Sequence, residues 1–150
     1  MVTRLYTHPV FLEHLTPPGH PERPDRLRAI ERVLDDAAFS GLDRVQAPPG
    51  DEQAILLVHP RDHVAHVRAA IPEAGIARID ADTTVSPKSW QAALTAVGAA
   101  TAAVDAVFEG RADNVFVAAR PPGHHAEKTT AMGFCLFNNA AIAARHAQKK

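Results

Sequence analysis

Five consecutive apolar residues, Val115 to Ala119 (VFVAA), stand between Asn114 and Arg120 and lead at once into Pro121, Pro122 and Gly123. An unbroken apolar run of this length suits a central parallel strand buried on both faces. The prolines and the glycine stop the strand and bend the path. Further on, Asn138, Ala140, Ile142, Ala143 and Ala147 lie in a stretch that reads as a helix. A strand followed by a helix is the alternation of an α/β sheet, and sites in such sheets gather beyond the carboxyl ends of the strands. Any chemistry is therefore expected in the segment Arg120 to Asn139, RPPGHHAEKTTAMGFCLFNN.

The upstream sequence reads as the scaffold for that segment. Val2 to Tyr6 suits a short opening strand, and the Pro-rich loop His14 to Pro24 (HLTPPGHPERP) follows it. Pro24 fits the first turn of a helix whose Leu27, Ile30, Val33 and Leu34 share one inward face and which ends near Ser40 and Gly41. Arg44 to Ala47 is a second strand; Asp51 caps a brief helix; a further helix starts at Pro60 with Val64 and Val67 inward. Ile71 to Asp82 reads as irregular. The longest helix runs from about Pro87 to Glu109, with Ser86 as its N-cap and Gly110 as its stop. Its alanines and Gly98 leave a narrow surface suited to close packing.

At 150 residues, 46% of them apolar, the chain has material for one domain with a sizeable core. A net charge of −1 with interleaved signs argues against a nucleic-acid or anionic-membrane footprint. The residues after Met1 lack the pattern of a signal peptide, and no apolar run approaches bilayer length, so a cytoplasmic location is expected. The single cysteine, Cys135, excludes an internal disulfide and a Cys-rich zinc module and reads as a buried packing thiol.

Three readings of the adjacent His124 and His125 stand side by side. Two imidazoles do not close a zinc site by themselves. Histidines sharing a pocket bias each other's protonation and suit acid/base work. A polar loop with surface histidines is the third reading. His59, His63 and His66 also invite a metal reading; without a glutamate between them, a partly exposed helix face is the expectation.

Taken together, RPPGHHA and GFCLFNNAAIAA, with HPERPDRL at His20 to Leu27 and DADTTVSP at Asp80 to Pro87, resemble the active-site signature of the histone deacetylase superfamily. That superfamily includes acetylpolyamine amidohydrolases and acetoin-utilisation proteins, and the HPERPDRL form leans toward the class II and bacterial branches. The resemblance implies an arginase/deacetylase-like three-layer α/β fold around a central parallel sheet. It implies a zinc-dependent amidohydrolase acting on acetyl-lysine or on small acetylated amines such as acetylpolyamines. His124 and His125 match the acid/base pair, Gly133 and Phe134 the wall of the substrate channel, Asp82 a rim carboxylate that holds the substrate backbone, and Arg26 an arginine near the product cavity. The family's zinc ligands, two Asp and one His, match nothing here, so no metal residue is assigned. Residues 1–150 are then expected to be the N-terminal part of a single, truncated deacetylase domain, poor in zinc and catalytically silent alone. The other class of reading is a non-catalytic homologue acting at most as a binding module.

Overall fold

The computed structural model describes residues 1–150. Three strands, β1 (Thr3–Thr7), β2 (Asp43–Gln46) and β5 (Asn114–Val117), form a parallel sheet in the order β2-β1-β5. Leu5 pairs with Arg44 on one side and with Phe116 on the other. Leu5 and Tyr6, which point to opposite faces, are both buried, so β1 is covered above and below.

Between the strands lie α1 (Pro24–Leu34), α2 (Glu52–Ile55), α3 (Arg61–Ala69) and a small antiparallel pair, β3 (Ala77–Arg78) with β4 (Thr84–Val85). The long helix α4 (Ser89–Phe108) and the last helix α5 (Asn139–Ala147) pack on each other. Two cores meet along α4. Ala92, Ala96 and Ala99 join Leu5, Tyr6, Phe11 and Leu27, while Ala93 and Val97 join Ile55, Val67, Leu136, Phe137 and Ile142. Gly98 lets α4 approach a loop: a Cβ there would stand 2.6 Å from the Gly50 nitrogen, and Gly50 already donates its N–H to the Leu94 carbonyl.

Local chemistry explains most element ends. Asp51 caps α2 by accepting from the Gln53 N–H, and Asn138 caps α5 by accepting from the Ala141 N–H. Gly110, at φ +69°, ends α4; the N–H groups of Gly110 and Arg111 close onto the carbonyls of Val107 and Ala106.

Several expectations need correction. The α1 helix stops at Leu34, because Asp36 caps a separate short 3-10 turn at Ala37–Phe39, and Ile30 and Val33 are exposed. The segment Ile71 to Asp82 contributes β3. Ser86 does not cap α4: it is buried, with its hydroxyl accepting from the Leu15 N–H, and the helix begins at Ser89. The apolar run does give a parallel strand, β5, beside β1 and outermost of the three, with Phe116 46% exposed. Finally, α4 is long and apolar enough to match a membrane span by length and composition. Here its small side chains fill the two cores, which accounts for that composition.

Candidate active site

After β5 the ladder continues through Ala118, whose N–H donates to the Tyr6 carbonyl, and reaches Arg120. Arg120 is 2% exposed and makes four hydrogen bonds: to both carboxylate oxygens of Glu22 (2.5 and 2.7 Å) and to the carbonyls of Phe11 and His14 (2.8 and 2.9 Å). A planar guanidinium meeting a carboxylate through two parallel bonds is geometrically selective. Here it ties the end of β5 to the Pro-rich loop 98 residues away in sequence. The Arg120–Pro121 peptide is cis.

Behind this pair lies a chain of hydroxyls whose proton order is set by Glu22, because a carboxylate facing His14 Nε2 favours the ring proton on that nitrogen. The Leu15 N–H donates to Ser86 Oγ, and Ser86 donates through both its N–H and its hydroxyl to Ser89 Oγ. Ser89 then donates to His14 Nδ1 at 2.6 Å. That leaves the His14 proton on Nε2, facing Glu22 at 3.7 Å. Burial, reinforced by the Arg120 charge, pushes the His14 pKa down to about 3. The His14–Glu22 approach therefore joins a neutral ring to a carboxylate; it is not an ion pair.

Past the prolines, the Ala126 N–H donates to the Gly123 carbonyl at 3.2 Å, closing a turn with His124 and His125 at its two central positions. In an extended strand the two side chains would diverge; in the turn both rings are exposed, with centroids 4.2 Å apart. The loop that follows folds back against them. Gly133 and Phe134 both have left-handed backbone, φ +59° and +68°. A Cβ on Gly133 would stand 2.6 Å from the His125 Cβ, so only glycine lets the loop lie on that ring. Cys135 is fully buried, receives the His125 N–H at 3.4 Å, and has its thiol pKa pushed up by burial, which makes it an inert packing group.

Asp82 reaches the same loop. Its Oδ1 accepts from the Gly133 N–H (3.1 Å) and from the Thr83 hydroxyl (3.0 Å), and Thr83 Oγ1 in turn accepts from the Phe134 N–H (3.0 Å). His20 packs edge-on against Phe134 at 4.7 Å.

One cavity of about 560 Å³ is lined by Glu22, Arg26, Asp82, His124, His125, Met132, Gly133 and Phe134, among others. All six residues singled out from the sequence thus border one space, drawn from four separate stretches of chain. Arg26 is half exposed and 3.5 Å from Glu22 Oε1. A second cavity, about 580 Å³, lies along α4, β5 and α5; it is mostly apolar, and His124 is its one titratable residue. The polar cavity is the one on which acid/base groups converge.

No three His, Cys, Asp or Glu side chains converge to hold a metal ion. The residues present therefore do not form a zinc site. The histidine trio also differs from its sequence reading: His59 and His63 are 1% and 3% exposed, not part of a partly exposed face, and only His66 faces outward. Sequence reasoning missed the Arg120–Glu22 pair, His14 and the burial of His59 and His63. The one available signal was Arg120 itself, a charge directly after an apolar run.

The chain has clear relatives. It is 37% identical over 133 residues to a histone deacetylase-like amidohydrolase of Pseudomonas aeruginosa, covering 88% of this chain and 35% of the relative. It is 38% identical over 139 residues to the human polyamine deacetylase HDAC10, covering 86% of this chain and 20% of that one. The crystal structure of the HDA15 HD domain superposes with a TM-score of 0.91 at 36% identity, over 99% of this chain and 44% of the other. The chain spans less than half the length of these relatives. The histone deacetylase domain model matches residues 20–150, most of the chain, and this protein belongs to the histone deacetylase family.

Proposed function

We infer that the protein hydrolyses the amide bond of acetylated amines, either acetyl-lysine in a protein or a small acetylated amine such as an acetylpolyamine. The observation that carries this reading is the pair of exposed imidazoles at the centre of one turn, 4.2 Å apart, facing a cavity walled by Gly133 and Phe134. Two histidines so close can divide an acid and a base role between them. The neutral ring suits removal of a proton from the attacking water, and the protonated ring suits delivery of a proton to the leaving amine. His124 and His125 take these two roles between them.

Substrate binding follows from the same cavity. Phe134 and its neighbour His20 offer ring surface to the methylenes of a lysine or polyamine arm. Asp82 spends Oδ1 on the Gly133 and Thr83 donors, which leaves its other oxygen to accept from a substrate N–H or ammonium at the rim. Arg26 supplies positive charge toward the acetate product, moderated by its contact with Glu22. Zinc belongs to this proposal only as a group that needs ligands from outside residues 1–150, and no step above runs through it.

Acetate release from an acetyl-lysine peptide and from an acetylpolyamine, measured with the zinc-supplemented full protein, tests the proposal. Hydrolysis of at least one substrate, abolished by a chelator, is expected; no release from either contradicts it. Residues 1–150 alone are expected to release no acetate and to hold zinc well below one per chain. Turnover with near-stoichiometric zinc in that fragment would show the site to be complete without further residues.

A further inference from the structure

His59 and His63 do not line the polar cavity and take no part in the acid/base scheme, yet both are buried and both reach the loop that carries the channel wall. The backbone N–H of Asn138 donates to His59 Nε2 at 2.9 Å, so that nitrogen keeps its lone pair and the ring proton sits on Nδ1. From there it donates to the Lys128 carbonyl at 3.0 Å. His63 is the reverse. Its Nε2 meets the Leu136 carbonyl at 3.0 Å and must carry the proton, while Nδ1 is bare, buried and without a partner. The rings stack at 4.7 Å, and Phe137 stands edge-on to each at 5.7 Å.

We propose that His59 and His63 are positioning residues that clamp the loop from Lys128 to Asn138 through opposite neutral tautomers, and so hold the Gly133–Phe134 wall in place against the histidine pair. The proposal rests on the deacetylase reading of that wall. Phe134 is a non-glycine residue at φ +68°, next to Gly133 at +59°, and a backbone of this kind persists only when its surroundings over-determine it. Asp82 and Thr83 fasten the middle of the loop at Gly133 and Phe134. The two histidines fasten its flanks at Lys128, Leu136 and Asn138, from α3 and the turn before it. A second proton on His59 would set N–H against the Asn138 N–H, and one on His63 would bury an unpaired donor, so each hydrogen-bond pattern requires a neutral ring. Burial holds the His59 pKa below the ordinary histidine value, in keeping with that requirement.

Ring-nitrogen NMR spectra of the full protein labelled with 15N-histidine read the tautomers directly. At neutral pH, His59 is expected to be protonated on Nδ1 alone and His63 on Nε2 alone. The same tautomer on both rings, or a doubly protonated ring, overturns the proposal. Amide hydrogen exchange then compares His63→Leu with His63→Gln, whose side-chain amide nitrogen reaches the place of Nε2. The leucine variant is expected to speed exchange within 128–138 by about fivefold, the equilibrium equivalent of one neutral hydrogen bond, with α4 unchanged and the glutamine variant restored. Equal acceleration in α4, or none in the loop, overturns the clamp. In kinetics, His63→Leu is expected to raise KM by about the same factor with kcat within about twofold, since a wall contributes binding. A fall in kcat at unchanged KM contradicts it. Should the wild type hydrolyse no acetylated amine, the deacetylase reading fails by itself, and the tautomer and exchange results still decide the clamp.

Discussion

Arg120 and Glu22 form the most consequential contact that local sequence could not announce. Both are 2% exposed, and a buried charge that loses its partner is costly. Arg120→Met is expected to destabilise the protein by about 3–5 kcal/mol in chemical denaturation, because it strands the Glu22 carboxylate and leaves the Phe11 and His14 carbonyls without donors. Adding Glu22→Leu removes the stranded charge but not the carbonyl deficit, so the double variant is expected to recover only part of that loss. A double variant no more stable than the single one would show that the pair's geometry, not its charge, carries the stability. His14 sets a pH signature on the same network. The folded state keeps His14 neutral down to about 3, while the unfolded chain takes up its proton near the ordinary 6.5. The unfolded state therefore binds more protons between those values, and stability falls as pH drops through that window, by at most about 1.4 kcal/mol per pH unit from this group. Urea unfolding between pH 7 and 4 checks this: His14→Asn, whose amide oxygen accepts from Ser89 in place of Nδ1, is expected to flatten the slope.

Among the elements, α4 shows how far composition and spacing reach. Its alanines and Gly98 announce a close approach, and the partner is the Pro48–Gly50 loop. Alanine is the better helix former by about 1 kcal/mol, so Gly98→Ala would stabilise an isolated helix. Here the added Cβ would stand 2.6 Å from the Gly50 nitrogen, backbone that has no rotamer to yield, and overpacking of this kind costs about 1–3 kcal/mol. A net loss of up to about 2 kcal/mol, seen as a lowered urea midpoint, is expected. The three strands of the parallel sheet, the helices and the Gly110 stop were legible because period, caps and breakers act over a few residues, whereas the short β3–β4 pair was not. Which neighbours cover β5 was not legible either, because an apolar run such as VFVAA reports what a strand can bury, not what packs on it. Ser86 misled for a related reason: a serine before Pro87 has the chemistry of a cap, and only the tertiary arrangement assigns its hydroxyl to Leu15 instead. Likewise, His59 and His63 read as surface residues because their partners, Lys128, Leu136 and Asn138, lie some 70 residues downstream.

For the molecule as a whole, the fold brings four distant stretches to one cavity: Arg26 from α1, Asp82 from the turn before β4, the His124–His125 turn after β5, and the Gly133–Phe134 loop before α5. The family signature made these residues visible in the sequence, whereas the contacts that hold them are tertiary and emerge only from the fold. The proposed acid/base chemistry sits in the adjacent imidazoles of His124 and His125, so its most direct test is the pH–rate profile of acetyl-lysine or acetylpolyamine hydrolysis by the full protein, measured beside His124→Ala and His125→Ala. The wild type is expected to show a bell-shaped profile, and each substitution to lower kcat by about 10²–10⁴-fold, the usual contribution of a positioned acid or base, with KM little changed. Variants that keep the wild-type kcat and profile would contradict the assignment of the chemistry to this pair.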